Sequence, residues 1–404
     1  MLSYAEALDH LLSAAVPVAE TKSVPLVAAR GRVLAAPQGA GIDVPPLDNS
    51  AMDGYALRCA DVPAAGAILP VAQRIPAGSV GQPLAAGTAA RIFTGAPVPP
   101  GADAVVMQER CESRDDGSVV VNHVPKPGEN IRRAGEDIAA GAQVLSAGVR
   151  LGPAELGLAA SVGLAALPVF RRLRVALLST GDELAEPGEP LRPGAIYNSN
   201  RHVLFALLEG LGCAVTDLGR VPDTLEATRA ALREAAAGND LILSTGGVSV
   251  GEEDHVKAAI EVEGSLDLWK IAIKPGKPLA YGKVSVGDTA KEADFIGLPG
   301  NPVAGFVTFL LLVRPFILRR MGASPRPPRP QPRVCASDWP KPDPKRREFL
   351  RARVADDGRV ELHPNQGSGV LSSCAWADGL VECPAGQAIR AGDTVGFLSF
   401  ADLG

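Results

Sequence analysis

Between residues 171 and 320 the chain alternates short, continuously apolar stretches with longer stretches of helical periodicity, and this rhythm restricts the fold more than any other feature. Residues 173–179, 213–218, 241–244, 268–273 and 295–298 are strand-like, whereas 199–211, 225–237, 252–262 and 303–320 carry apolar residues at helical spacing. A strand without a polar face needs cover on both sides, and the intervening helices supply it. The pattern predicts a doubly wound α/β domain with a parallel sheet over residues 171–322.

That block is less than half of a 404-residue chain, which is long enough for roughly two to four domains. Upstream, residues 4–15 read as an amphipathic helix, strands and turns run on to about residue 140, and 91–107 reads as strand, Pro/Gly turn, strand. A small-residue helix near 156–163 suits close packing, inside the chain or between two copies. After residue 322, Pro325, Pro327, Pro328, Pro330 and Pro332 mark a stiff connector. Beyond it, short strands at 349–354 and 360–362 suggest a small β-barrel or sandwich.

Composition narrows the function. The net charge of −5 disfavours a general nucleic-acid binder, which needs a basic excess, but leaves room for a small anionic ligand held by a local cluster. Six scattered cysteines without CxxC or zinc-type spacing point to reduced thiols and a cytoplasmic protein. The first twenty residues lack the pattern of a signal peptide. The longest apolar run, 303–313, is short for a membrane span and reads as a buried helix.

In open parallel sheets, ligands bind at the carboxyl ends of strands. Four predicted strand ends carry glycine with hydroxyl, acidic or basic residues: Thr180-Gly181-Asp182-Glu183, the loop from Ser244 to Asp254, Lys274-Pro275-Gly276-Lys277-Pro278, and Pro299-Gly300-Asn301-Pro302. The second loop is glycine-rich and precedes a helix, an arrangement that suits phosphate, although it is neither a Walker A nor a GxGxxG sequence. Two lysines fixed among prolines suit an oxyanion. Asp182, Glu183 and Asp254 offer oxygen ligands for Mg²⁺ beside a phosphate; for Asp254 alone, helix capping is an equal explanation. The basic run Lys345-Arg346-Arg347-Glu348-Phe349-Leu350-Arg351 and the glycine-flanked Ser368 lie outside this block, and a basic run is most often a solvated face.

The segments DNSAMDGYA (48–56), RIFTGAPVPPGADAVV (91–106), GENIRRAGEDI (128–138), STGDEL (179–184), YNSN (197–200), STGGVSVGEEDHVK (244–257), KPGKP (274–278) and LPGNPV (298–303) occur in this order. Together they resemble the molybdopterin molybdenumtransferases, the MoeA and gephyrin E-domain family. The resemblance implies a homodimer of four-domain subunits. It places an elongated region at 1–44 and 139–170, an inserted mainly β domain at 45–138, a MogA-like α/β domain at 171–322, and a β-barrel at 323–404.

It also implies roles. Thr245, Gly246, Gly247, Ser249, Gly251, Pro299, Asn301 and Pro302 would hold the pterin substrate, and Lys274, Lys277, Arg346 and Ser368 would hold molybdate. Asp182, Glu183, Asp254, Asp53, Thr94, Asp137 and Asp223 would form the catalytic set, with Glu183 and Asp254 on Mg²⁺. The implied reaction inserts molybdate into adenylylated molybdopterin with release of AMP, and the implied protein partners are a molybdopterin adenylyltransferase and apo-molybdoenzymes. Two departures, Ala304 where the family often has serine and Lys345-Arg346 where it has Gly-Arg, imply weaker molybdate binding. The competing assignments are an adenylyltransferase, disfavoured by the large flanking regions, and a gephyrin-like scaffold, which would not require the acidic and basic sets.

Overall fold

The structure is a computed structural model describing residues 1–246, 255–285, 287, 292–324 and 328–403. At its centre is a six-stranded sheet. From one edge to the other its strands are Ala214–Val221, Arg174–Thr180, Leu241–Thr245, Glu292–Leu298, Pro278–Ser285 and Gly264–Lys270. The first four are parallel; Pro278–Ser285 runs against both of its neighbours, so Gly264–Lys270 points the same way as the parallel set.

Side chains on these strands alternate between two cores. Val175, Leu177 and Leu243 face one, which is closed by the helices Ser199–Leu211 and Tyr4–Ala14 and by the helical stretch 302–320. Ala176, Leu178, Ile242 and Phe295 face the other, closed by Leu225–Gly238 and His255–Glu263. The fold is the expected doubly wound α/β domain, with two corrections.

The sheet is mixed, because Pro278–Ser285 returns antiparallel and was not foreseen as a strand. The predicted strand 268–273 is two elements. Gly264–Lys270 belongs to the central sheet, whereas Ile273–Lys274 pairs in parallel with Arg347–Glu348 of the C-terminal sheet. The break lies at Ile271 and Ala272, whose backbone N–H groups donate to Lys277 and Leu2 instead of continuing the ladder. The start of the predicted helix 252–262 falls outside the described residues.

The helical stretch 302–320 contains an irregular turn with a local cause. Pro315 has no N–H to give the carbonyl of Leu311, and the helix widens to a π segment at Phe309–Val313. Tyr4 donates its hydroxyl to that carbonyl at 3.3 Å, which ties the N-terminal helix to the α/β core, and burial pushes its pKa up to about 12. By length and composition this 19-residue stretch could cross a membrane, yet 78% of its apolar window is buried inside the protein. It is the core helix that the sequence suggests.

The inserted region holds a six-stranded mixed sheet in two small cores. Ala89–Ile92 and Ala104–Met107 are strands as expected, but they do not pair with each other; both flank Gly54–Leu57. Two-stranded ribbons join residues before this sheet to residues after it: Thr21–Pro25 with Ala166–Phe170, and Gln38–Gly39 with Gln143–Leu145. The C-terminal region supplies five strands of a third six-stranded sheet over its own core, Ile273–Lys274 being the sixth. Part of the proline-dense connector belongs to it: Gln331–Val334 is an edge strand against Thr394–Ser399, a position that tolerates Pro332.

Opposite the strands' carboxyl ends, a charged cluster fastens the N-terminal segment. Arg171 donates two hydrogen bonds to Asp240, at 2.6 and 2.8 Å, and pairs with Glu20 at 3.0 Å. Arg320 pairs with Asp294 at 3.0 Å and donates to the carbonyl of Val16. Burial alone would raise the Asp240 pKa, but hydrogen bonds from Arg171 and the Arg174 N–H hold it below its ordinary 3.8. At Asp294 burial wins over Arg320 and Tyr281, and the pKa is raised.

A depressed carboxylate stabilises the fold above its unfolded pKa and ceases to do so as pH falls through its folded pKa. Asp240→Asn is therefore expected to cost about 3 kcal/mol at pH 7 by leaving Arg171 without its main partner. In denaturation measurements, the gap to the wild type should hold down to about pH 5 and close below about pH 4. A gap independent of pH would remove the ion pair as its cause.

Candidate functional site

The carboxyl ends of Arg174–Thr180, Leu241–Thr245, Glu292–Leu298 and Gly264–Lys270 lie on one edge of the sheet, and two adjoining cavities open there. Both are lined by Gly246, Gly300 and Asn301. The first, about 560 Å³, is walled by Lys274 to Pro278, Pro299 and Ala304 from the α/β domain. Arg346, Gln366, Gly367 and Ser368 face them from the C-terminal domain. The second, about 570 Å³, is walled by Thr180, Glu183, Leu184, Ile196 to Asn200, Thr245, Pro302 and Gly369.

Two glycines are dictated by close approach. Gly246 has φ +91°, and a Cβ there would stand 2.9 Å from the carbonyl oxygen of Thr180. Gly276 has φ +99°, and its Cβ would meet the Thr308 hydroxyl at 2.3 Å. The loops are thus pressed on their neighbours more tightly than a side chain permits. Asn200 joins two of them: its Nδ2 donates to the Thr245 hydroxyl at 2.9 Å and to the Gly300 carbonyl at 2.7 Å.

The cationic wall is supported by buried acid. Ile273–Lys274 pairs with Arg347–Glu348, and the Lys274 ammonium lies 2.7 Å from Glu348 Oε1. Glu348 is only 1% exposed; its other oxygen accepts from Trp339 Nε1 at 2.8 Å and from the Asp343 N–H at 3.0 Å. Asp343 in turn accepts from Arg346, through Nε at 2.8 Å and through the backbone N–H at 3.0 Å. Chiefly through the Arg346 hydrogen bond, the Asp343 pKa falls to about 2. Lys277 is exposed and makes no ion pair among the described residues.

Most of the expected binding residues meet here. Gly246, Lys274, Lys277, Pro299, Asn301, Arg346 and Ser368 line the first cavity; Glu183, Thr245, Gly246, Asn301 and Pro302 line the second. Asp182 is exposed beside Glu183 but lines neither cavity, and Asp223 follows the edge strand Ala214–Val221 without lining either. Gly247, Ser249, Gly251 and Asp254 lie outside the described residues.

Asp53 and Thr94 meet each other instead: one Asp53 oxygen accepts from the Thr94 N–H at 2.8 Å and hydroxyl at 2.7 Å. Those bonds hold the Asp53 pKa below its ordinary value. This pair and the exposed Asp137 lie in the inserted region and line neither cavity.

Four site residues escaped sequence reasoning. Asn200 stood in the YNSN segment, a signal that could have found it. Glu348 and Arg351 stood in the basic run, which reads as a solvated face, and Gln366 gave no signal; the importance of all three comes from tertiary contacts. Arg351 is wholly buried, and its guanidinium donates to the Gly367 carbonyl at 3.1 Å and to the Ser373 hydroxyl at 3.0 Å.

No group of three or more His, Cys, Asp or Glu side chains able to hold a metal occurs among the described residues. Mg²⁺ does not require one, since it commonly takes one or two carboxylates and completes its shell with water and phosphate oxygens. Glu183, which lines the second cavity with Thr180 and Thr245, could supply one such carboxylate.

Residues 2–163 match the MoeA N-terminal region (domain I and II), 176–319 a probable molybdopterin binding domain, and 333–400 the MoeA C-terminal region (domain IV). The chain is 38% identical to a molybdopterin molybdenumtransferase of Haemophilus influenzae, with 100% of both chains covered. It is 41% identical to molybdopterin molybdenumtransferase 2 of Mycobacterium tuberculosis, with 90% of each covered. Among solved structures, the molybdopterin biosynthesis moeA protein from Pyrococcus horikoshii is similar with a TM-score of 0.84 at 30% identity, covering 99% of this chain and 100% of that one. With such identity sustained over its whole length, the chain belongs to the molybdopterin molybdenumtransferase family.

Proposed function

We propose that this cleft inserts molybdate into adenylylated molybdopterin, with magnesium-dependent release of AMP, to complete molybdenum cofactor. Membership of the family makes the chain a transferase of molybdenum cofactor biosynthesis. The observation that carries the finer reading is the junction of the two cavities. A cation-lined cavity shares Gly246, Gly300 and Asn301 with one lined by glycine, hydroxyl and carboxylate groups, so one substrate can reach both.

In this reading the pyrophosphate lies along Thr245, Gly246 and Asn301, where backbone groups approach without side-chain obstruction. Asn200 holds the Thr245 hydroxyl and the Gly300 carbonyl in fixed relation, so the loop needs little rearrangement as the substrate binds. Glu183, together with Asp254, would hold Mg²⁺, which neutralises phosphate charge and stabilises the leaving oxygen when bound. Lys274, Lys277, Arg346 and Ser368 attract molybdate and orient it toward the dithiolene sulfurs of the pterin.

Asp53, Thr94 and Asp137 are assigned to the cleft of a partner subunit, and the small-residue helix Pro153–Ser161 to the contact between two copies. Asp223 is assigned to the rim. A cytoplasmic setting, with an adenylyltransferase upstream and apo-molybdoenzymes downstream, completes the proposal; all six cysteines are free, as that setting requires.

Two substitutions test the two ends separately. Glu183→Gln should leave the fold intact and slow AMP release about a hundredfold, with a higher magnesium requirement. Unchanged turnover would take Glu183 out of the site. Lys277→Ala should raise the KM for molybdate about tenfold with little change in kcat, the mark of a lost binding interaction. A loss confined to kcat would instead place Lys277 on the reacting groups.

A further inference from the structure

Two of the three cations lining the first cavity are already neutralised. Lys274 stands against Glu348, and Arg346 against Asp343, at 2.7 and 2.5 Å. Lys277 is exposed to water, where its charge is weakened. A fourth cation lies behind the wall. Arg351 is 0% exposed and has no carboxylate within ion-pair distance among the described residues. Its Nε and one Nη donate to Ser373 and Gly367, while its other Nη has no hydrogen-bond partner among the described residues. Its backbone N–H donates to Gln366 Oε1 at 2.9 Å. Gln366 and Gly367 line the cavity beside Ser368, so the guanidinium is one carbonyl group away from it.

Burying a charge without a counter-charge is strongly unfavourable, and apolar residues of similar volume are commonly as stable or more so. A lysine there could shed its proton, but arginine remains charged in proteins. Its field therefore persists. Inside the protein that field is less attenuated than one arising in water, and dissolved ions screen it less.

We propose that Arg351 is a further residue of the oxyanion site, supplying a standing attraction for a dianion and, through Gly367, positioning Ser368. The inference rests on reading this cavity as the molybdate site. Arg351 acts without touching the anion, which distinguishes it from Lys277.

The test is calorimetric titration of inorganic molybdate into the full-length protein. Arg351→Met keeps the apolar stem and removes the charge. It should weaken binding about tenfold while leaving the melting temperature equal or higher, because the unfavourable burial is gone. A purely structural arginine would lose stability instead. Arg351→Gln keeps an amide donor for the Gly367 carbonyl but carries no charge, and should also weaken binding about tenfold. Raising salt to about 0.5 M should shrink the deficit of Lys277→Ala and preserve that of Arg351→Met.

Unchanged affinity in Arg351→Met, or a deficit that salt abolishes, overturns the proposal. Should that variant fail to fold, a tenfold loss in Arg351→Gln supports the proposal and unchanged affinity overturns it. A wild-type protein that fails to bind molybdate overturns this inference together with the reading beneath it. Binding that responds to Lys277→Ala but not to Arg351→Met overturns this inference alone.

Discussion

The cleft depends on a two-residue strand. Ile273–Lys274 leaves the central sheet and pairs with Arg347–Glu348, so one wall of the cavity is stitched into the sheet that supplies the other. The pairing is short, but the Lys274–Glu348 contact reinforces it at a buried position. From Glu348 the constraint runs to Trp339 and to the Asp343 turn, and from there to Arg346. Two cations from different domains thus take their places from one buried carboxylate. Breaking such a pair leaves an uncompensated charge, which makes the relative placement of the two walls costly to change.

The same arrangement moderates the electrostatics. A pocket with three bare cations would grip any small dianion, including products and bystanders. Here two of the cations are held and offset by acids, and in the proposed reading the residual attraction falls to Lys277 and the buried Arg351. In that reading the paired groups contribute geometry and the unpaired ones affinity. The cavity proposed for the phosphates follows a different principle, in which Gly246 admits close backbone approach and Asn200 fixes the loop.

Much of this was legible in the sequence where the physics is local. Apolar runs such as 173–179 and the helical spacing of 199–211 became elements with nearly those bounds. The strand-end loops met on one edge because strand direction follows from alternation with helices. What failed was non-local. Nothing between 268 and 285 indicates that the chain breaks at Ile271 and Ala272, lends two residues to a distant sheet and returns antiparallel. Pro332 reads as connector until an edge position excuses its missing N–H. At the site, Lys274, Lys277 and Ser368 were visible as polar residues in glycine-rich loops. Glu348 and Arg351 were not, because a charge in a basic run looks solvated until its burial is known.

The central claim is that one cleft couples pyrophosphate cleavage to metal insertion. A single-turnover reaction of the protein with adenylylated molybdopterin, molybdate and magnesium tests it most directly, by measuring free AMP and pterin-bound molybdenum in the same samples. The two should appear in equal amounts and with the same time course. AMP released without incorporation of molybdenum, or molybdenum incorporated while the adenylyl group stays attached, would contradict it.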